Sequence, residues 1–528
     1  MIAKHAATQW LIGACILLGA GGQAIASPGQ PAPRLDPRAL NAISRVDPRF
    51  QSYNIEMAEI VGGRFWAPYK DAGTKTPSEG TRPGGSLGFE AALFRQRPPA
   101  DLSNVRLRNM ARALGPAYIR VSGSWANKTF FQDDDSPRLA VPPKGFENVL
   151  TRRQWAGVLD FAKAVDGRIT TSFAVSAGAR DAAGNWSSAE ARKLLRYTRA
   201  LGGTIHSAEL INEPNLGATS GLPVGYDASN FARDIAAFRT FIANEAPETR
   251  TVGPGSTGET GVALFNSRGL DTEQMLSAQP RAAFDYFSYH FYGGRSQRCA
   301  RMAPSSAISP QHALDEEWLA RTDRALVFYK DLRDRHMPGA PIWLNETAQA
   351  SCGGDKWAAS FLDTFRYVDQ MGRLAKQGVS VIMHNTLAAS DYGLIGDEAL
   401  TPRPNYWAAL LWRRLMGEVV LEAGASRPGF HVYAHCLRGR SGGVAFAVIN
   451  LDRTRAAHLA LPLPTERYTL SAENLEGSTV KLNGKTLSMH GDRLPPLSGK
   501  QTNARDLRFP PASISFLAAP SAANRACR

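Results

Sequence analysis

Hydrophobic and polar positions fall into two textures along the 528 residues. In the first, short apolar runs of strand length alternate with amphipathic segments of helical period. The strand-type runs are 52–57, 118–121, 169–175, 208–211, 250–252, 287–292, 342–344 and 380–383. The helical patterns lie at 102–114, 155–165, 189–201, 230–244, 312–335, 357–376 and 406–416. Thr151 with Gln154 and Ser187 with Glu190 have the spacing of capping boxes, so each pair predicts a helix start. Eight strand-type runs alternating with these helical patterns predict an α/β fold, a (β/α)8 TIM barrel over residues 51–416. After Gly417 the second texture begins. Runs at 430–437, 443–451, 458–463, 468–473, 479–489 and 512–518 are short and β-type, with Asn483-Gly484 as a hairpin signal, and predict a β-sandwich over residues 417–528.

In such a barrel the carboxyl ends of the strands form the active site. Two of these strands end alike. Leu210 and Ile211 run into Asn212-Glu213-Pro214, where proline stops the strand, and Trp343 and Leu344 run into Asn345-Glu346. Glu213 would follow strand four and Glu346 strand seven, which brings two carboxylates to one face. That pair suits glycoside hydrolysis, one group protonating the leaving oxygen and one attacking or activating water. The plainer alternative is that both are rim carboxylates.

A net charge of +14 points to an acidic partner such as nucleic acid, an anionic membrane surface or an anionic polysaccharide, or else to an Arg-rich solvated surface; no nucleic-acid motif accompanies it. Lys4, an apolar run at 10–20 and Ala24-Ile25-Ala26 predict a signal peptide over residues 1–26 and export to an extracellular or periplasmic compartment. No later run is long enough to span a membrane. Residues 27–50, rich in Pro and Ala, are expected to be a linker or a strand pairing with the later sheet. Without Cys15, four cysteines remain for an oxidising compartment. No cofactor or metal is implied.

The motifs together are those of a known family. S-Y-N-I-E-M, A-Y-I-R-V-S-G-S, E-L-I-N-E-P-N, Y-H-F-Y-G-G-R, I-W-L-N-E-T, A-S-D-Y-G-L and P-N-Y-W, with H-V-Y-A-H-C and K-L-N-G-K-T-L in the tail, resemble glycoside hydrolase family 79, the heparanase and β-glucuronidase family. The resemblance implies a retaining hydrolase of β-glucuronides, with Glu213 as acid/base and Glu346 as nucleophile. Asn212 would meet the sugar 2-hydroxyl, and Tyr292 and Arg120 would support the nucleophile, with His290 on the same face as a further substrate contact. Gly353, Gly354 and Tyr392 would hold the uronate carboxylate, and Glu56 and Asn385 would add subsite contacts. Cys352 stands where a longer glycine run is expected, so the register of that amide group is open. A Cys436–Cys527 bridge is also implied, which leaves Cys299 and Cys352 free to pair over the rim. The expected substrate is a heparan-sulfate-like chain cut internally. Basic residues in the insertion 73–99, namely Lys75, Arg82, Arg95 and Arg97, favour an open groove. Alternatives are an exo-acting β-glucuronidase and a catalytically inactive carbohydrate-binding protein.

Overall fold

The computed structural model describes residues 33–69, 93–260, 270–302, 307–396, 398–503 and 505–528. The expected signal peptide, Lys75 and Arg82 lie outside them. Eight parallel strands close a barrel in chain order: β1 (Gln51–Glu56), β2 (Ala117–Ser122), β3 (Gly167–Ser172), β4 (Ser207–Glu209), β5 (Arg250–Ser256), β6 (Tyr286–Tyr292), β7 (Ile342–Ala348) and β8 (Val381–His384). Side chains alternate between the barrel interior and the helices outside. On β2, Ile119 and Val121 join the large outer core, while Tyr118, Arg120 and Ser122 are buried on the other face. Tyr118, Val252, Trp343, Val381 and Met383 plug the amino-terminal end of the barrel. Above the plug the interior turns polar, with Asn54, Arg120, Thr170, Glu209 and Asn345 all buried.

On β7 the alternation is broken once. Tyr289 pairs with Leu344, but the next residue, His290, pairs with Glu346, so Asn345 is an extra residue. Trp343 and Asn345 face the interior; strict alternation would aim Glu346 at the helices. The bulge turns it back toward the barrel axis.

The second unit is a nine-stranded sheet with a two-stranded sheet (Ala457–Ala460 with Asp506–Phe509) over one face. Val432, Phe446, Val448 and Leu517 pack beneath Leu459, Leu507 and Phe509. The opposite face, with Tyr433, Ala447, Ile449 and Phe516, joins the core of the barrel helices. The strand Ala42–Arg45 extends this sheet by pairing with Met416–Leu421. Cys436 and Cys527 are bridged with their Cα atoms 5.3 Å apart, and Cys299 and Cys352 with theirs 6.6 Å apart.

Several sequence expectations need correction. The helical pattern at 357–376 begins as a helix only at Phe361, because Ser360 folds back on the Trp357 carbonyl at 3.1 Å. The first N–H groups of that helix, on Phe361 and Leu362, donate to the Gly477 and Leu475 carbonyls at 2.9 and 2.7 Å, so the sheet unit caps it. The pattern at 312–335 is two helices, Glu316–Leu319 and Arg321–His336. The run at 479–489 is a tight hairpin, Lys481–Leu482 with Lys485–Thr486, turning at Asn483 and Gly484. Thr151 and Gln154 make their capping box, whereas the next helix starts after Ser188 without a side-chain cap, and Glu190 pairs with Lys193 at 2.6 Å.

Barrel and sheet meet at a buried ionic cluster. His431 on the sheet strand Phe430–Leu437 donates to Asp369 at 2.5 Å and to Glu316 at 3.0 Å, while Tyr433 and Arg373 also bind Asp369. Burial opposes the charge on His431, but Asp369 and Glu316 outweigh it and raise its pKa to about 9. A histidine raised in the folded state stabilises fully below its unfolded value near 6.5, and that contribution is lost as pH rises to about 9. The expected contribution is at most about 3 kcal/mol. Thermal unfolding of the protein and of His431→Gln should therefore differ most near pH 6 and converge toward pH 10; a constant difference would refute the ionic role.

Candidate active site

Arg120 anchors the site. Its guanidinium is fully buried, a placement that is costly unless the charge is paired and hydrogen-bonded. Glu209 and Glu346 each accept from it at 2.8 Å. A further N–H goes to the Asn212 Oδ1 at 2.7 Å. That bond fixes the Asn212 amide with its Nδ2 pointing away from Arg120, where it donates to the Ser124 hydroxyl at 3.2 Å. Asn127 clamps the Asn212 backbone from both sides, at 3.0 and 2.9 Å.

Glu346 is held on both oxygens. Arg120 takes one, and the Tyr292 hydroxyl donates to the other at 2.7 Å. Asn385 Nδ2 donates to the Tyr292 oxygen at 3.0 Å and to the Tyr392 oxygen at 3.3 Å, so the single Tyr292 proton is committed to Glu346. Burial alone would raise the Glu346 carboxyl, but His290, Arg120 and the Tyr292 bond outweigh it and hold the carboxyl below the usual glutamate value.

Glu213 follows Asn212 in left-handed backbone, φ 51° and ψ 58°, just before Pro214. Burial pushes its carboxyl up, the nearby negative charge of Glu346 adds to this, and the His290 contact at 3.1 Å opposes it. Two neighbouring carboxyls are thus driven in opposite directions, the usual sign of separate acid and base roles. One His290 ring nitrogen and one oxygen from each glutamate lie within 4.8 Å of one another. Three such atoms could ligate an ion by distance, but Arg120 already supplies a positive charge to Glu346.

A cavity opens over the carboxylates, lined among others by Glu56, Asn212, Glu213, Tyr292, Glu346, Asn385 and Tyr392. Glu56 is buried, and burial together with Glu346 raises its carboxyl far above the usual range. Gly123 makes room for it: a Cβ there would sit 1.6 Å from the Glu56 Oε2.

Three placements differ from the sequence expectations. His290 does not line the cavity; it sits beneath it, between the two glutamates and 3.4 Å from Arg120, so it touches the carboxyls rather than a sugar. Gly353 and Gly354 do not line it either, whereas Ser351 and Cys352 do. The Gly354 N–H donates to the Ala350 carbonyl at 3.2 Å. Both glycines are left-handed (φ 81° and 85°) and closely covered, a Cβ on Gly353 meeting Trp66 at 2.5 Å. They shape the turn that presents Cys352. Finally, Arg95 and Arg97, expected to face a polyanion, pair with Glu398 at 2.9 Å and Glu59 at 3.8 Å. Arg180 on the loop after β3 is likewise paired with buried Asp234 at 2.9 Å.

Other lining residues were not anticipated: Ser124, Trp125, Phe65 and Trp66, the last two from a hairpin of Gly63–Trp66 with Phe94–Arg97. Glu209 was missed as well, although a charge inside a buried strand calls for a partner and Arg120 is the buried cation two strands away.

A family model described as "Glycosyl hydrolase family 79, N-terminal domain" matches residues 99–372. The chain belongs to glycoside hydrolase family 79. This family-79 protein is 27% identical to heparanase of Rattus norvegicus over 456 residues, covering 74% of this chain and 80% of that one. It is 25% identical to hyaluronoglucuronidase of Hirudo nipponia over 489 residues, covering 84% and 95%. Among solved structures, a 4-O-α-L-rhamnosyl-β-D-glucuronidase from Fusarium oxysporum 12S superposes with a TM-score of 0.62 at 13% identity, covering 92% of this chain and 99% of that one. The protein is a glycoside hydrolase with a TIM barrel.

The hydrogen bond from Tyr292 can be tested without touching either glutamate. Tyr292→Phe removes a donor that favours ionised Glu346, so its pKa rises and the acidic limb of the kcat/KM profile should move up by about one pH unit. An unmoved limb with wild-type folding would exclude this role.

Proposed function

We propose that the protein hydrolyses β-glucuronide linkages with retention of configuration, Glu346 acting as nucleophile and Glu213 as acid/base. The observation that carries this reading is the pair of adjacent carboxyls, Glu346 bonded on both oxygens by Arg120 and Tyr292 and Glu213 buried against His290, an arrangement that lowers the first and raises the second. Their oxygens approach within 4.8 Å, which suits the ~5–5.5 Å carboxyl spacing of retaining enzymes and not the ~6.5–9.5 Å of inverting ones. In the first step Glu213 gives its proton to the glycosidic oxygen as Glu346 attacks the anomeric carbon; the leaving alcohol departs and a glycosyl ester forms on Glu346. The now ionised Glu213 then takes a proton from water, whose oxygen attacks the same carbon and releases Glu346. Asn212 Nδ2 is oriented to donate to the sugar 2-hydroxyl, a contact that strengthens as positive charge develops on the ring.

The substrate class rests on the relatives, whose names specify heparanase and hyaluronoglucuronidase. A uronate carboxylate would meet the Tyr392 hydroxyl, whose oxygen already accepts from Asn385 and whose proton is free to be donated. The turn at residues 351–354 would add backbone donors, with Cys352 nearer the sugar than Gly354. We place the enzyme outside the cytoplasm, acting within heparan-sulfate-like chains. The net charge of +14 favours approach of a polyanion. An exo-acting β-glucuronidase is the second reading, favoured by the aromatic wall of Phe65 and Trp66 over the cavity.

Two measurements test the proposal. Glu346→Gln should lose turnover altogether. Glu213→Gln should lose about 10²–10⁴-fold on a natural glycan and much less in the glycosylation step of an activated aryl glucuronide. Near-wild-type activity of either variant on the glycan would overturn the assignment. Early in digestion of a long heparan sulfate, a rapid fall in mean chain length supports internal cleavage. Release of single uronate units at constant polymer length decides for the exo reading.

A further inference from the structure

On the side of the cavity that carries Tyr392 and Cys352, two consecutive residues of the loop after β6 hold three other loops. Arg298 has a nearly buried side chain that donates to Asp391 at 2.7 Å, next to Tyr392 on the loop after β8. The same guanidinium donates to the Ala67 carbonyl, beyond the hairpin strand that carries Trp66, and lies 3.5 Å from the Gly354 carbonyl on the loop after β7. It stacks over the Tyr69 ring at 4.0 Å, and the Arg298 backbone N–H donates to the Tyr69 hydroxyl at 3.2 Å. Tyr69 returns to the same group through its own N–H, which donates to Asp391 at 3.0 Å. The next residue, Cys299, is bridged to Cys352, which lines the cavity. Asp391 N–H in turn donates to the Gly353 carbonyl at 3.1 Å.

We propose that Arg298 and the Cys299–Cys352 bridge form a clasp that sets the preference for uronides over the corresponding neutral glycosides, although neither Arg298 nor Cys299 touches the sugar. The inference rests on the reading above that this side of the cavity meets the uronate carboxylate. Arg298 is a positioning residue. Its fork reaches a carboxylate and two backbone carbonyls at once, a geometry that lysine cannot reproduce. The elements joined are loops, not barrel strands, so loosening them displaces Tyr392 and the 351–354 turn while leaving Arg120, Glu213 and Glu346 in place. Misplacing a polar recognition group lowers discrimination more than it lowers chemistry on a substrate lacking the recognised group.

The experiment compares kcat and KM of the full-length protein for 4-nitrophenyl β-D-glucuronide and 4-nitrophenyl β-D-glucoside. For Arg298→Gln, KM for the glucuronide should rise about tenfold with kcat within about threefold, and the glucuronide-to-glucoside ratio of kcat/KM should fall about tenfold. Arg298→Lys should fall between this variant and wild type. Asp391→Asn and the double variant Cys299→Ser/Cys352→Ser should lower the ratio in the same direction, and are read in the same way if Arg298→Gln does not accumulate folded. Cys436→Ser/Cys527→Ser, which opens the distant bridge, should leave the ratio unchanged. A wild-type enzyme that prefers the glucuronide, with variants that fold yet keep its ratio, overturns the clasp alone. Equal losses on both substrates mean a merely structural role and also overturn it. A wild-type enzyme with no preference for the glucuronide overturns the functional reading and the clasp with it.

Discussion

A buried guanidinium is the constraint on which the catalytic end of this barrel depends. Arg120 cannot shed its proton and is shielded from bulk water, so carboxylates must surround it. Glu209 meets that demand from β4 and Glu346 from β7. Because one of the two partners is the proposed nucleophile, the energetics of the core and the ionisation of the reactive group are one problem. The same cation orients the Asn212 amide, and with it the donor presented to the cavity. Glu213 stands outside this arrangement, bonded to His290 and not to Arg120, and burial therefore dominates its carboxyl.

The sheet unit is more than an appendage to that machinery. Its loop carbonyls at Gly477 and Leu475 receive the first amides of the helix Phe361–Lys376, which follows the strand carrying Glu346. Farther along the same helix, Asp369 and Arg373 enter the ionic cluster with His431 and Tyr433. The helix is therefore fixed at its start and along its length by the neighbouring unit, and the turn that precedes it is the one bearing Cys352.

Much of this was legible in the sequence. Strand-length apolar runs leading into Asn-Glu placed both glutamates at the same mouth; proline follows Glu213 directly, whereas β7 runs on past Glu346 to Ala348, which the polar residues there did not suggest. Arg120, Tyr292, Asn385 and Tyr392 lie around Glu346 in one hydrogen-bonded group. Periodicity could not reveal the extra residue at Asn345, since a bulge leaves no compositional mark and yet decides which way Glu346 points. Nor could it separate His290 beneath the cavity from Tyr292 in its wall, as both lie on one face of β6. The glycine pair suggested an open anion cradle, but close approach of Trp66 and Ala358 explains those glycines equally well. Loop partners such as Asp391 for Arg298 arise from long-range closure, which local pattern does not encode.

The placement of the strand Ala42–Arg45 has a consequence for how the chain assembles. It is an edge strand of the sheet, and its neighbour, Met416–Leu421, lies on the far side of the whole barrel in sequence. Asn524 reinforces the arrangement by donating to the Pro37 and Leu40 carbonyls at 2.8 and 2.9 Å. Topologically the barrel is a guest spliced between two adjacent strands of its host. Once the guest has brought its own two ends together, the first strand of the host sheet is held near its partner, which lowers the entropic cost of pairing them across so long a stretch of chain. The closed barrel thus delivers two adjacent strands to the sheet, and the sheet ties the barrel's entry and exit to a common frame.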